Sequence, residues 1–261
     1  MNGTHCLICG GIRQDPLTVR TLLLAGTDPG FCKNCRRKLA PIDLDDCCAS
    51  CGRDLRLIDK SFVSGSVCSD CRNWAKSGRN GLFGRNRSLF TYNEWMKEII
   101  TMFKFRGDAL LAEGFRTEFR SVYRKLKGSG WENLRDWLKT GERRAAGVKY
   151  IIVPIPLSKE RLQERGFNQA VLLAELLGEP LTHALVRPGS ERKQSKKNRR
   201  ERLMIRKNPF LFNEEAAGSI SGHKVLLIDD IYTTGATLRF AAGALEAAGP
   251  QRIDSLTLAH G

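Results

Sequence analysis

The order of apolar and polar positions changes character along the chain. From Tyr150 onward, short apolar runs alternate with segments of helical composition. Tyr150 to Val153 and Lys224 to Ile228 are rich in aliphatic and β-branched residues, as strands buried on both faces are. Leu181 to Val186 and Ile253 to Leu258 read as further strands, and Phe167 to Leu177 and Ala236 to Ala248 as helices. This alternation predicts an α/β fold: a mostly parallel sheet with right-handed crossovers, flanked by helices, with ligands beyond the carboxyl ends of the strands. Upstream, Met96, Ile99, Ile100 and Phe103 recur at helical spacing, as do Leu111, Phe115, Phe119, Val122 and Leu126, with Gly107 and Asp108 as stop and cap. Trp131, Leu134 and Leu138 predict a helical insertion over 128–147. Before residue 90 the periodicity disappears, and the polar, glycine-bearing stretch from Ala75 to Ser88 reads as a connector. The expected division is a small unit over 1–75, a connector over 76–90 and an α/β unit over 91–261, with separate cores.

Composition adds one signal, a basic charge balance that points to a polyanionic partner. The chain has 261 residues, of which 41% are hydrophobic and 27% charged, which excludes disorder along its whole length. Its 43 Lys and Arg against 28 Asp and Glu leave +15, spread along the chain, and such a balance favours a polyanion. The longest apolar runs fall far short of the roughly 20 residues that cross a bilayer, so no membrane insertion is expected. Residues 1–12 lack the basic segment and the apolar stretch of about 7 to 15 residues that a secretory signal carries. The expected compartment is the cytoplasm.

In a reducing compartment, paired cysteines more often hold metal than form disulfides. All nine lie between Cys6 and Cys71, and eight form Cys-x-x-Cys pairs: Cys6/Cys9, Cys32/Cys35, Cys48/Cys51 and Cys68/Cys71. A two-residue spacer lets two sulfurs face one ion, and two such turns close a tetrahedral shell of four thiolates, the saturated geometry of structural zinc. Gly10 and Gly52, each just after a cysteine, suit turns with positive φ. Two zinc ions are therefore expected. Cys48 rather than Cys47 keeps the spacing to Cys51, leaving Cys47 as the odd thiol. Sequential pairing would give tandem ribbons and interleaved pairing a cross-braced site; the spacing accommodates both.

Residues 225–238 read VLLIDDIYTTGATL: an apolar strand, two carboxylates, a hydroxyl-rich turn with a glycine, then a helix. Gly235 and small neighbours let the backbone approach an anion, threonine hydroxyls add donors, and a helix N-terminus directs amides at phosphate. Asp229 and Asp230 do not favour phosphate; they accept hydrogen bonds from sugar hydroxyls or hold Mg2+. A phosphorylated ribose fits this string better than a nucleoside triphosphate.

The string resembles the phosphoribosyl-pyrophosphate (PRPP) motif of type I phosphoribosyltransferases. The resemblance implies that Thr233, Thr234, Gly235, Ala236 and Thr237 hold the 5-phosphate and that Asp229 and Asp230 serve as catalytic residues facing the ribose, with Mg2+ bridging to pyrophosphate. The four cysteine pairs, KFRGD (Lys104 to Asp108), VPIPLSKERLQERGFNQ (Val153 to Gln169) and this motif, in that order, resemble the ComF family of late-competence proteins over nearly the whole chain. That resemblance implies a double zinc ribbon before a phosphoribosyltransferase-type domain. It places Pro156, Leu157 and Ser158 at the pyrophosphate and makes Arg165, Asn168 and Gln169 part of a family signature. Pro154 and Pro156 permit a tight turn, through a cis bond or as a plain strand end.

Over 188–210 the family implies a hood above the site. Gln194, Arg202 and Phe210 fit it, while Lys197 and Ile205 stand where Leu and Asn are expected. From Arg192 to Lys207 there are nine basic residues and one acid, among them Lys196, Lys197, Arg199 and Arg200. Such a segment closes over PRPP, holds a phosphate backbone without reading sequence, or stays a solvated loop. The resemblance implies single-stranded DNA and a competence helicase as partners. Two functions follow: a DNA-uptake accessory protein that binds PRPP, or an active Mg-dependent phosphoribosyltransferase with an unidentified acceptor. No general base stands beside the motif, and His183, His223 and His260 read as structural.

Overall fold

The apolar runs from Tyr150 onward meet a fourth, more polar strand in one parallel sheet in the computed structural model, which describes residues 5–13, 30–78, 81–105, 108–128, 149–189 and 208–261. The amino-terminal part holds α1 (Lys33–Arg37), the hairpin β1 (Val63–Ser64) and β2 (Val67–Cys68), and α2 (Ser69–Lys76). Then follow β3 (Phe83–Thr91), α3 (Glu94–Phe105), α4 (Arg116–Lys127), β4 (Tyr150–Pro154), α5 (Lys159–Arg165) and α6 (Gln169–Glu175). The remainder is β5 (Leu185–Val186), β6 (Leu211–Phe212), α7 (Ala217–Ile220), β7 (Lys224–Tyr232), α8 (Ala236–Leu245) and β8 (Arg252–His260). The central sheet has the order β3-β8-β7-β4, parallel throughout, and β5 and β6 form a separate antiparallel pair.

Alternation along the strands divides the core in two. Ile152, Leu226, Ile228, Leu256 and Leu258 face Met96, Ile99 and Phe103 of α3, Phe119 of α4 and Leu173 of α6. Val153, Val225, Leu227 and Ile253 face Leu238, Ala241 and Leu245 of α8 and Ile220 of α7. Cys6, Phe31, Cys35 and Leu39 join the first layer, and Cys48, Cys51, Cys68 and Cys71 the second. The expectation of separate cores is therefore corrected: the cysteine-rich segment shares the apolar layers of the sheet.

The connector expected over 76–90 contains a strand. Polarity hid β3, because Asn86 and Ser88 are buried by bonding rather than by apolar contact. Asn86 accepts from Ser255 Oγ (2.8 Å) and donates to Ser88 Oγ and the Cys51 carbonyl (2.8 Å each), while Ser88 and Thr257 hydroxyls meet at 2.7 Å. A satisfied polar seam of this kind fixes the register of β3 on β8. The outer edge of β3 is covered by the chain from Ala40 to the Cys48–Cys51 turn: Asn86 N bonds Ser50 O (2.7 Å), Ile42 N bonds Leu89 O (2.9 Å) and Thr91 N bonds Ala40 O (2.8 Å). An edge that would otherwise pair with another chain is thus closed. Gly52 makes this approach possible, with φ +74° and a position where a Cβ would lie 2.9 Å from Asn86 O.

The strand expected over Leu181 to Val186 shrinks to β5, with Leu181 making a lone parallel bridge to Ile152. Leu111 to Leu126 is a 3-10 turn over Ala109–Phe115 running into α4. The insertion expected over 128–147 lies, apart from Gly128, outside the described residues. All described peptide bonds are trans, so Pro154 and Pro156 follow the strand-end alternative. No helix among the described residues is long and apolar enough to cross a membrane.

Candidate phosphate-binding and metal sites

Because the sheet is parallel, β7 and β4 deliver their following segments to one edge, with Pro154 opposite Ile228 in register. On β7 this edge carries Asp229 and Asp230, which lie within the strand rather than after it. Asp230 is buried and pairs with Lys104 Nζ at 2.5 Å; its amide bonds Asp229 Oδ1 at 2.9 Å. Asp229 keeps part of its surface open while its carboxyl sits in dense surroundings. Burial, and then the neighbouring Asp230 charge, push that carboxyl above the usual range. A carboxylate held this way gains from hydroxyl donors or a cation.

After Tyr232 the chain turns through Thr233 and Thr234, both exposed, and through Gly235 at φ +75° into α8. Thr234 Oγ1 accepts from Ala236 N at 3.3 Å, and Ala236 and Thr237 form the first turn of the helix. Beneath the turn, Arg239 donates to Tyr232 Oη (2.7 Å) and the Gly235 carbonyl (3.3 Å). A Cβ on residue 235 would come within 2.1 Å of both side chains, so glycine is required here. His260 stacks on Tyr232 with ring centroids 4.8 Å apart, and burial lowers it to about 4, which keeps the imidazole neutral and structural. Sequence reading missed Arg239, whose position one helical turn after Gly235 was the available signal.

On β4, Pro156, Leu157 and Ser158 emerge next to the acidic pair's strand, and Ser158 caps α5 by accepting from Arg161 N. The signature residues after α5 act as braces. Asn168 donates to Ile155 O (2.9 Å) and caps α6 through Ala170 N (3.0 Å), while Arg165 donates to Gln169 Oε1 (3.0 Å) and Gln169 reaches Phe103 O at 3.4 Å. The residue after Phe103 is Lys104, so these contacts tie the Pro156–Ser158 segment to the partner of Asp230. Burial lowers the pKa of Arg187, also missed, with the Arg161 charge acting in the same sense and the Asp229 charge against it. Lys196, Lys197, Arg199, Arg200 and Arg202 lie outside the described residues. The residues flanking them are fixed near the site: a Cβ at Gly189 would meet Glu160 of α5, and Asn208 donates to Phe240 O of α8 at 2.8 Å.

These braces carry a prediction. Asn168→Ala removes a helix cap, worth about 1 kcal/mol, and leaves the Ile155 carbonyl without its donor. A lowered Tm is expected, with a larger fractional loss of anion binding than of stability. Thermal melting and calorimetry on one variant test it.

The eight paired thiols form two groups, Cys6, Cys9, Cys32 and Cys35, and Cys48, Cys51, Cys68 and Cys71, the sulfurs of each group within 4.8 Å of one another. The sequential pairing is therefore the one present. Cys9 and Cys32 sulfurs are 3.9 Å apart and those of Cys51 and Cys68 3.7 Å. Zinc–sulfur bonds of about 2.3 Å in a tetrahedron place sulfurs about 3.8 Å apart, so both groups fit that ion. Gly10 and Gly52 have φ of +69° and +74°, as the turns require. Backbone amides reach the sulfurs, Cys32 N to Cys6 Sγ at 3.3 Å and Cys68 N to Cys48 Sγ at 3.4 Å. Hydrogen bonds from Cys51, Cys68 and Cys71 lower Cys48, while sharing with Cys48 raises Cys51, as expected of thiols crowded around one charge. Cys47 stays outside, buried and bonded to Leu44 O.

A model of the phosphoribosyl transferase domain matches residues 163–261. The competence protein ComFC of Bacillus subtilis (strain 168) is 40% identical over 255 residues, covering 97% of this chain and 93% of that protein. That of Streptococcus pneumoniae (strain ATCC BAA-255 / R6) is 34% identical over 254 residues, 97% of this chain and 98% of that protein. Competence protein F of Haemophilus influenzae (strain ATCC 51907 / DSM 11121 / KW20 / Rd) is 26% identical over 239 residues, 88% and 90% of the two chains.

Proposed function

The chain belongs to the family of the competence protein ComFC, and on that premise we propose that it is a DNA-uptake accessory protein whose carboxyl-terminal part binds PRPP. The observation that carries this reading is the meeting of the Asp229–Thr237 segment with Pro156–Ser158 at the carboxyl edge of adjacent parallel strands. In this reading Thr233, Thr234, Thr237 and the amides of Gly235 and Ala236 hold the 5-phosphate. Asp229 and Asp230 orient the ribose hydroxyls, with Lys104 holding Asp230 in place. Pro156, Leu157 and Ser158 meet the pyrophosphate, with Arg161 and Arg187 nearby to balance its charge.

The donor set fits Mg2+, which binds through one or two carboxylates together with substrate phosphates; Asp229 and Asp230 would hold it, and bound there it supplies charge neutralisation of the pyrophosphate. Zinc is assigned to the two four-cysteine groups. With four thiolates each they leave no open position, so their role is structural. The domain division of the reading is a zinc-bearing segment docked on the sheet rather than a tethered unit.

Titration with PRPP by calorimetry, with and without Mg2+, tests the site; Mg-dependent binding is expected, and absence of binding under both conditions removes the reading. Release of pyrophosphate across a panel of acceptors is the outcome that favours an active phosphoribosyltransferase over a binding module.

Single-stranded DNA is the polyanion that this role and the +15 charge favour. Its affinity is expected to fall linearly with salt on logarithmic axes, by about 0.7 in slope for each phosphate contact. Neutralising Lys196, Lys197, Arg199 and Arg200 together should flatten that slope. If the slope stays and only PRPP binding suffers, the basic segment serves the PRPP site alone.

A further inference from the structure

The second four-cysteine group does not end at its sulfurs. Cys68 leads directly into α2, which begins at Ser69 and carries Cys71. One turn further along the same helix, Trp74 donates its indole Nε1–H to the Thr234 carbonyl at 2.9 Å. The Trp74 ring also lies 4.4 Å from the Arg239 guanidinium, whose other neighbour is the Phe83 ring at 5.1 Å. Arg239 in turn bonds Tyr232 Oη and the Gly235 carbonyl. The Thr234 carbonyl is therefore held by a residue of the cysteine-rich segment, and the Gly235 carbonyl by Arg239, through its backbone amide at 3.1 Å and through the guanidinium that Trp74 covers.

A second path joins the same places. Arg53, two residues after Cys51, pairs with Asp70 of α2 at 2.9 Å and reaches the Gly261 carbonyl at 3.4 Å. Gly261 N bonds Tyr232 O at 2.9 Å, and His260 stacks on the Tyr232 ring. Asn86 fastens the Cys51 carbonyl to the buried seam of the sheet. The cysteine turns, α2 and the loop thus form one packed unit.

We propose that Trp74 and Arg239 are positioning residues for the Thr233–Thr237 loop, and that the second four-cysteine group is coupled through them to anion binding by that loop. The carbonyl oxygens of Thr234 and Gly235 repel an incoming phosphate unless they are turned away from it. Trp74 binds the first oxygen, and the Arg239 amide and guanidinium together bind the second, which leaves the amides and hydroxyls of the loop facing the anion. The buried guanidinium adds positive potential beneath the same turn. Since coupling between two sites is reciprocal, an anion on the loop must tighten the cysteine group by the factor by which an ordered group tightens the anion. Among the described residues the first group makes no bond to this loop; its Cys35 carbonyl accepts from Trp95 Nε1 of α3 at 3.1 Å, and Cys6 and Cys35 belong to the other apolar layer, with Phe31 and Leu39. The proposal rests on the PRPP reading for its natural ligand, but only on an anion at the loop for its physics.

The test uses the full chain as isolated with its metal and follows alkylation of individual cysteines by mass spectrometry, with Mg2+ and PRPP, and separately with inorganic phosphate, the group the loop itself would hold. Anion binding is expected to slow alkylation of Cys48, Cys51, Cys68 and Cys71 severalfold while the first group reacts as before. Trp74→Phe keeps a ring over Arg239 and removes only the indole donor. It should weaken PRPP about threefold to tenfold, the range of one lost hydrogen bond, and shrink the protection of the second group by a like factor. Equal protection of both groups, or none in a chain that binds PRPP, overturns the coupling, as does PRPP binding unchanged in Trp74→Phe. Should that variant not fold, the protection ratio in the unaltered chain still decides. Protection by inorganic phosphate without any effect of PRPP keeps the coupling and removes the PRPP reading; no effect of either overturns the coupling.

Discussion

Replacing Cys51 with serine is expected to unfold the sheet together with the cysteine-rich segment, in a single transition. Cys51 is buried within the layer that holds Val153, Leu227, Tyr232 and Leu238, so the second group is part of the core beneath α8. A structural zinc of this kind contributes about 10 to 16 kcal/mol of apparent binding free energy. Whole domains are stable by only about 5 to 15 kcal/mol. Weakening the group therefore removes a quantity comparable with everything that holds the chain folded. Cys9 is a useful contrast, being the exposed member of the first group. Cys9→Ser should cost less, and the β7–β8 ladder should retain its amide protection. Hydrogen exchange of that ladder, read alongside thermal melting, tests both. Two separate transitions in Cys51→Ser, with the sheet melting as before, would show that the cores act independently.

That result bears on how the fold was legible. Period and composition located β4, β7, α6 and α8, because each buries aliphatic side chains and so leaves an apolar record. Spacing located both four-cysteine groups, and Gly10 and Gly52 marked their turns. What remained hidden was whatever is buried by polar bonding. β3 reads as linker since Arg85, Asn86, Arg87 and Ser88 carry no apolar period, yet Asn86 and Ser88 are buried against Ser255 and Thr257. With β3 unseen, its covering by the cysteine-rich chain was unseen as well, and the two cores looked separate. The site shows the same division. The loop and its acidic pair were visible as a local string, whereas Lys104, Trp74 and Arg187 come from elsewhere along the chain and reach the site only through the fold.

The acidic pair should separate stability from binding when its two members are changed singly. Asp229→Asn removes a carboxyl that burial and Asp230 hold above its ordinary pKa. Such a group binds its proton more tightly in the folded chain. Its contribution is fully present below the ordinary carboxylate range, about pH 4, and is lost as pH rises through the raised folded value. Without ligand, the unaltered chain should lose stability across that window, and Asp229→Asn, lacking the titration, should be the more stable at neutral pH. Asp230→Asn should act in the opposite sense, because it leaves the largely buried Lys104 ammonium unpaired. Breaking a fully buried pair costs about 3 to 5 kcal/mol, and less here since part of Lys104 stays open. Both changes should weaken PRPP, each lost charge-assisted hydrogen bond costing about 1.5 to 3 kcal/mol, so the double variant should lose well over tenfold in affinity. Melting curves from pH 4 to 9, with and without Mg2+ and PRPP, read all of this. If Asp229→Asn is less stable than the unaltered chain at neutral pH, its carboxylate is satisfied internally and is not held ready for a ligand. If both single variants bind PRPP undiminished, the acidic pair serves the fold alone.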